Sequence, residues 1–174
     1  MEYEFTLKYQ LGEQDSDVDE VMERLGAGGC DDALIGIGQT GRVGLKFTRE
    51  ARSAREALIS AMADVRAALP SAKLIEAGPD FVGLTDVAQI VRMTRQNLRK
   101  LMTTHAANFP IPVHDGNSGV WHLADLLGWL QTKGSYLLPQ GMVEVSLEAK
   151  RVNQVKEAIQ ISQEDKQEME ELVA

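Results

Sequence analysis

The chain has 174 residues, 44% of them hydrophobic and 25% charged, proportions ordinary for one medium or two small globular domains. No apolar stretch approaches the roughly 20 residues a membrane-spanning helix needs, and the acidic, strand-like start Met1-Glu2-Tyr3-Glu4-Phe5 is unlike a signal peptide, so a cytoplasmic protein is expected. The net charge of -8 argues against indiscriminate nucleic-acid binding, and the lone Cys30 excludes a disulfide framework or a multi-cysteine zinc site.

Residues 3–11 alternate apolar and polar side chains from Tyr3 to Leu11, the period of a half-buried strand. Asp17 or Ser16 can cap a helix carrying Val18, Val21, Met22 and Leu25, which Gly26, Gly28 and Gly29 then stop. Ala33–Gly38 and Arg42–Thr48 read as a hairpin around Gln39-Thr40-Gly41, Ser53–Leu69 as a helix ended by Pro70, and Lys73–Ala77 as a last strand. The fold class expected is α+β. Its first domain, residues 1–79, has the strand-helix-strand-strand-helix-strand order of a ferredoxin-like split fold and would sense a ligand or bind a protein partner. Gly78-Pro79-Asp80 is expected as a turn or linker.

A second domain is expected over 83–134, up to the Gly134-Ser135 break. Thr85 can cap a short helix whose Val87, Ile90 and Val91 share a face, and Thr94 can cap a second with Leu98, Leu101 and Met102 inward. Phe109–Val113 is extended, His114–Gly119 a polar turn, Val120–Leu123 a returning strand and Ala124–Leu130 a third helix. Two capped helices followed by such a hairpin form a winged helix-turn-helix pattern. Residues 84–134 carry a net +2 against -6 before and -4 after, and Arg92, Arg95, Arg99 and Lys100 fall within nine residues. Acidic flanks suppress non-specific DNA affinity, so binding would depend on specific contacts or on a second copy.

The run "LTDVAQIVRMTRQNLRKLM", then "FPIPV", then "GVWHLADLLGWLQ" resembles the AlpA and excisionase-like branch of the MerR-type winged helix-turn-helix regulators. The resemblance implies a double-stranded DNA reader of the phage or mobile-element type. It departs at the turn, where Arg92 stands in place of the usual Gly or Asn; a left-handed Arg92 costs roughly 1 kcal/mol relative to Gly and can place a cation on the DNA backbone. By position, Arg95, Gln96 and Arg99 are the base-reading candidates, with Asn97 nearer the buried side. Thr94 and Lys100 are candidates for phosphate, as are His114, Asn117 and Ser118 on the wing. Trp121 and Trp129 are expected in the core.

In the tail, Val152, Val155, Ile159, Ser162, Lys166, Met169 and Val173 stand at spacings of three and four. A C-terminal helix over 143–174 is expected, either pairing with a second copy or packing on its own domain. Gly36-Ile37-Gly38-Gln39-Thr40-Gly41 fits G-x-G-x-x-G, but a strand pattern follows it where a dinucleotide site needs a helix. His105, His114 and His122 lack zinc-site spacing, and no nucleophile has an evident base partner. The expectation is therefore a non-enzymatic, cofactor-free transcriptional regulator binding double-stranded DNA as a homodimer. Two alternatives stand beside it: an antitoxin or adaptor whose first domain binds a protein, and an excisionase-like DNA-bending protein.

Overall fold

A computed structural model describes residues 1–134, 136 and 138–173 and has an α+β architecture. Ser135, half of the expected Gly134-Ser135 break, and Ala174, the end of the expected tail, lie outside the described residues. Strand β1 (Glu2–Gln10) turns Tyr3, Phe5, Leu7 and Tyr9 to the inside and leaves Glu4 and Lys8 exposed, as the period-two pattern requires. Helix α1 (Val18–Ala27) starts where the Asp17 carboxylate accepts the amides of Asp19 and Glu20. Strands β2 (Ala33–Gly36) and β3 (Arg42–Glu50) pair antiparallel around a turn that ends on Gly41, whose φ of 76° favours glycine. Helix α2 (Ala54–Ala68) is capped by Ser53 and stops ahead of Pro70, and β4 (Lys73–Gly78) follows.

The four strands form one antiparallel sheet in the order β2-β3-β1-β4, with β4 at an edge. Helices α1 and α2 cover one face. Beneath them Phe5 and Phe47 stack at 5.1 Å, and Leu7, Leu25, Leu45, Leu58 and Leu69 are fully buried. Each such side chain contributes about 1.5–3 kcal/mol by leaving water. The other face is polar, crossed by the exposed pairs Glu4–Lys46 and Lys8–Glu76.

A second, smaller core holds Val82, Val87, Ala88, Leu98, Trp121, Leu123, Leu126 and Leu127. It joins β5 (Phe81–Val82), α3 (Leu84–Ile90), α4 (Arg95–Thr104), β6 (Trp121–His122) and α5 (Leu123–Thr132), with β5 and β6 antiparallel. The Gly78-Pro79-Asp80 segment, expected as a turn or linker, is a short connection between β4 and β5 and part of the packed structure: after a cis Gly78–Pro79 bond, Asp80 is buried and its carbonyl accepts the Leu123 amide at 2.7 Å.

The tail forms two helices where one was expected, α6 (Gln140–Ala158) and α7 (Gln163–Val173). The break is local chemistry: the Ser162 hydroxyl oxygen accepts the Asp165 amide at 3.1 Å and starts a new helix. Of the two placements open for this tail, α6 packs on its own chain. Val145 and Ala149 lie in the first core, while Met142 and Val143 pack against the second. Lys150 holds the Asp125 carboxylate of α5 at 2.6 Å. Helix α7 buries none of its residues.

Candidate nucleic-acid interface

Helix α3 begins two residues earlier than its sequence suggests. Gly83 caps it, because the Asp86 carboxylate turns back to accept the Gly83 amide at 2.8 Å, so Thr85 is a first-turn residue. The chain leaves α3 through Arg92, whose φ of 54° is the left-handed turn conformation that glycine would adopt more easily, and the Met93 amide donates to Ala88 O at 2.9 Å. Thr94 then caps α4 by accepting the Asn97 amide at 3.1 Å. Leu98 is fully buried where α4 packs on α3, beside the small Ala88.

With Leu98 fixed inward, Arg95, Gln96, Asn97, Arg99 and Lys100 are all exposed, as is Arg92. The expectation that Asn97 lies nearer the buried side is not met: Asn97 is exposed, because Leu98 is the residue of this turn that points into the core.

The segment expected as a wing is a narrow loop. Val113 and His114 donate their amides to Val120 O at 2.7 and 3.2 Å, and the Val120 amide returns to His114 O at 3.0 Å. Phe109–Val113 forms no ladder of its own. Gly119 is required there, since a Cβ would lie 2.5 Å from the Trp121 ring. Trp121 is buried and donates its indole N–H to Pro110 O at 3.0 Å, while Phe109 packs edge-on against both Trp121 and the half-buried Trp129. Trp121 belongs to the small core, as expected, whereas Trp129 is half-buried and packs edge-on against Phe109 and His105 outside it.

Between α4 and the wing lies an open cleft of about 360 Å³. Arg95 and Arg99 line it from α4, Asn117 and Ser118 from the loop, and Thr85 and Asp86 from the start of α3. The structure thus brings two of the predicted base readers together with two of the predicted wing residues. His114 stays outside, its ring lying over Gly116. Asn97 and Lys100 face a separate depression on the opposite flank of α4, with Met93, Leu101, Thr104 and Tyr136. Gln96 lines neither. Asp86 and Asp115, which the sequence reading passed over, also border the main cleft and limit how deep an anion can enter.

The charges of α4 are unmatched. Among the described residues none forms an ion pair with Arg92, Arg95, Arg99 or Lys100, whereas Arg24, Arg49, Arg52, Lys150 and Lys156 each meet a carboxylate.

A second polar cluster, not anticipated from the sequence, joins the two cores. His122 Nδ1 lies 2.7 Å from one Asp80 carboxylate oxygen, and the Asn153 amide donates to the other at 2.7 Å. Asn153 also bonds both backbone groups of Ala77, at 2.9 and 2.8 Å. Its only sequence signal is one asparagine among the apolar positions of α6.

Among the described residues no group of three or more His, Cys, Asp or Glu side chains is placed to hold a metal ion, and no helix is long and apolar enough to cross a membrane. No family model, no curated protein and no solved structure matches the chain.

Proposed function

We propose that the chain is a sequence-specific transcriptional regulator of double-stranded DNA, with α4 lying in the major groove and the 113–120 loop on the adjacent backbone. The observation that carries this reading is the unpaired cation set on the exposed face of α4, opposite the polar wing. In this reading α3, α4, the wing and α5 form a winged helix-turn-helix, and the first 78 residues a ferredoxin-like domain whose split strand-helix order matches the observed sheet. A helix of about 10–12 Å diameter fits a major groove about 12 Å wide, and its first turns present the base-reading side chains.

Roles follow from the cleft. Arg95 and Arg99 are the base readers, because they stand side by side at i and i+4 and face the wing. Gln96 reads the next base along the groove. Asn117 and Ser118 hold the phosphate that the wing crosses, and Lys100 and Arg92 hold phosphates on the far flank. Thr94 contributes through its cap and its position at the helix entry.

The test is a mobility shift on the DNA upstream of the protein's own gene, at two salt concentrations with random competitor. Arg95→Ala and Arg99→Ala should each weaken specific binding by about 1–3 kcal/mol, and Lys100→Ala should weaken all sequences alike and reduce the salt slope by about 1. Absence of a specific shift, or unchanged affinity in the folded Arg95→Ala/Arg99→Ala double variant, would refute the assignment.

A further inference from the structure

Helices α2 and α6 leave an apolar groove of about 370 Å³ between them. Its floor is Leu58, Met62, Leu74 and Val152, and its lips carry Ile59, Val155 and Ile159, which are 50%, 61% and 76% exposed. Contiguous apolar surface of this kind on a soluble domain marks a contact site. Three cations, Arg55, Arg151 and Lys156, rim it; Glu148 meets both arginines and Glu157 meets Lys156, which leaves the rim one positive charge in excess.

The same chain carries a helix of matching character. Helix α7 buries nothing, and Met169, Leu172 and Val173 stand exposed on it at spacings of three and four. Around them are Glu164, Asp165, Glu168, Glu170 and Glu171, with Lys166 the only cation. Eleven residues of helix extend about 16 Å, enough to cover the stretch of α6 from Arg151 to Ile159, which runs about 12 Å. The heptad-like spacing seen in the sequence is thus divided in space: Val152, Val155 and Ile159 belong to the groove, Met169 and Val173 to the free helix.

We propose that the α2/α6 groove receives α7 of a second copy of this chain, and that the exchange is reciprocal, giving a two-fold homodimer. Charge complementarity between an acidic helix and a basic rim orients the helix, and the apolar stripe supplies the adhesion. The helix of the partner is favoured over the chain's own because Ile159 is both a lip of the groove and the first residue of the connection to α7. The Gln160 and Ile161 amides bond Glu157 O and Ala158 O and close the end of α6, and the turn they make sends α7 off without burying any of its residues. A partner's α7 requires no rearrangement. A two-fold contact also doubles the effect of any single substitution, because each residue acts twice.

The mass of the full chain in solution, measured by light scattering without DNA, tests the proposal. The expected mass is twice 19.1 kDa. Val155→Glu in the groove and Leu172→Glu on α7 sit at exposed positions of the single chain, and each should raise the dimer Kd by roughly a hundredfold or more while leaving the circular dichroism unchanged. A monomeric wild-type chain would overturn the proposal, as it would if α7 closed on its own groove. A dimer that survives either variant overturns it too, since both halves of the contact are needed. The readout contains no DNA, so loss of the dimer leaves the DNA reading standing, and loss of the mobility shift leaves the dimer standing.

Discussion

Replacing Asn153 with alanine should cost this protein about 4 kcal/mol. Strand β4 is a sheet edge, and an edge leaves backbone groups without a neighbouring strand. At Ala77, fully buried, the Asn153 amide takes that place: its oxygen accepts the Ala77 N–H at 2.9 Å and its nitrogen donates to Ala77 O at 2.8 Å. The same nitrogen reaches Asp80 Oδ2 at 2.7 Å. Truncation strands an N–H, a C=O and a carboxylate oxygen away from water. With about 1 kcal/mol for each neutral bond and about 2 for the charge-assisted one, the sum is about 4, a large part of a typical domain's 5–15. Urea unfolding, followed by far-ultraviolet dichroism for the whole chain and by fluorescence of Trp121 and Trp129 for the second core, measures it. Asn153→Leu is the control, because it refills the space and leaves the polar groups unmet. A loss below about 1 kcal/mol in Asn153→Ala, or recovery of stability in Asn153→Leu, would show that the amide's bonds are not what holds this edge.

Arg92→Gly should raise stability by about 1 kcal/mol, because glycine adopts the observed φ of 54° without a Cβ penalty; thermal unfolding checks it, and a lower midpoint would mean that the Arg92 side chain stabilises the turn by contacts of its own. Burial alone would raise the Asp15 carboxyl, but hydrogen bonds from Ser71 and Arg24, with the Arg24 charge, outweigh it and hold it below its ordinary value of 3.8. A depressed folded value gives stability that is present above 3.8 and lost as pH falls from there. Asp15→Asn should therefore lower stability at neutral pH and flatten its decline in acid; a denaturation series in which the variant keeps the wild-type acid slope would contradict this.

Local patterns were legible in the sequence wherever one residue decides the outcome. Thr94 caps the helix it was expected to cap, Asp17 is the one of the two offered caps that starts α1, and the alternation from Tyr3 to Leu11 gave β1 its buried face. Thr85 failed as a cap because Asp86 three residues beyond Gly83 competes for the same role, a choice that depends on how β5 delivers the chain. The two-residue strand β5 was invisible for a similar reason: Phe81-Val82 has no periodicity to read, and it becomes a strand only because Trp121-His122, within the returning strand expected over Val120–Leu123, lies beside it. The tail misled through its spacing, since threes and fours continue across Ser162 while the backbone does not. For the candidate site, the exposed face of α4 was readable from the burial of Leu98; the Asp80–His122–Asn153 cluster was not, because its members are 31 and 42 residues apart or more and meet only after both cores have formed.

The placement of the α4 cations has no structural explanation within the chain. Acidic residues outnumber basic ones by 26 to 18, so carboxylates are not scarce, and cations on other elements find them at short range. On α4, Arg95 occupies the first turn, where the helix dipole disfavours a positive charge, and that turn holds no acidic residue to offset it. Arg99 follows at i+4, a like-charge spacing that destabilises a helix by a few tenths of a kcal/mol. Selection for stability alone would replace either residue with Glu, which would be favoured by the dipole at the first position and by its neighbour at the second. An anion supplied from outside, with phosphates spaced along a groove the width of this helix, removes both penalties at once. That compensation is why we propose a DNA-reading role for α4 although the chain as a whole is strongly acidic.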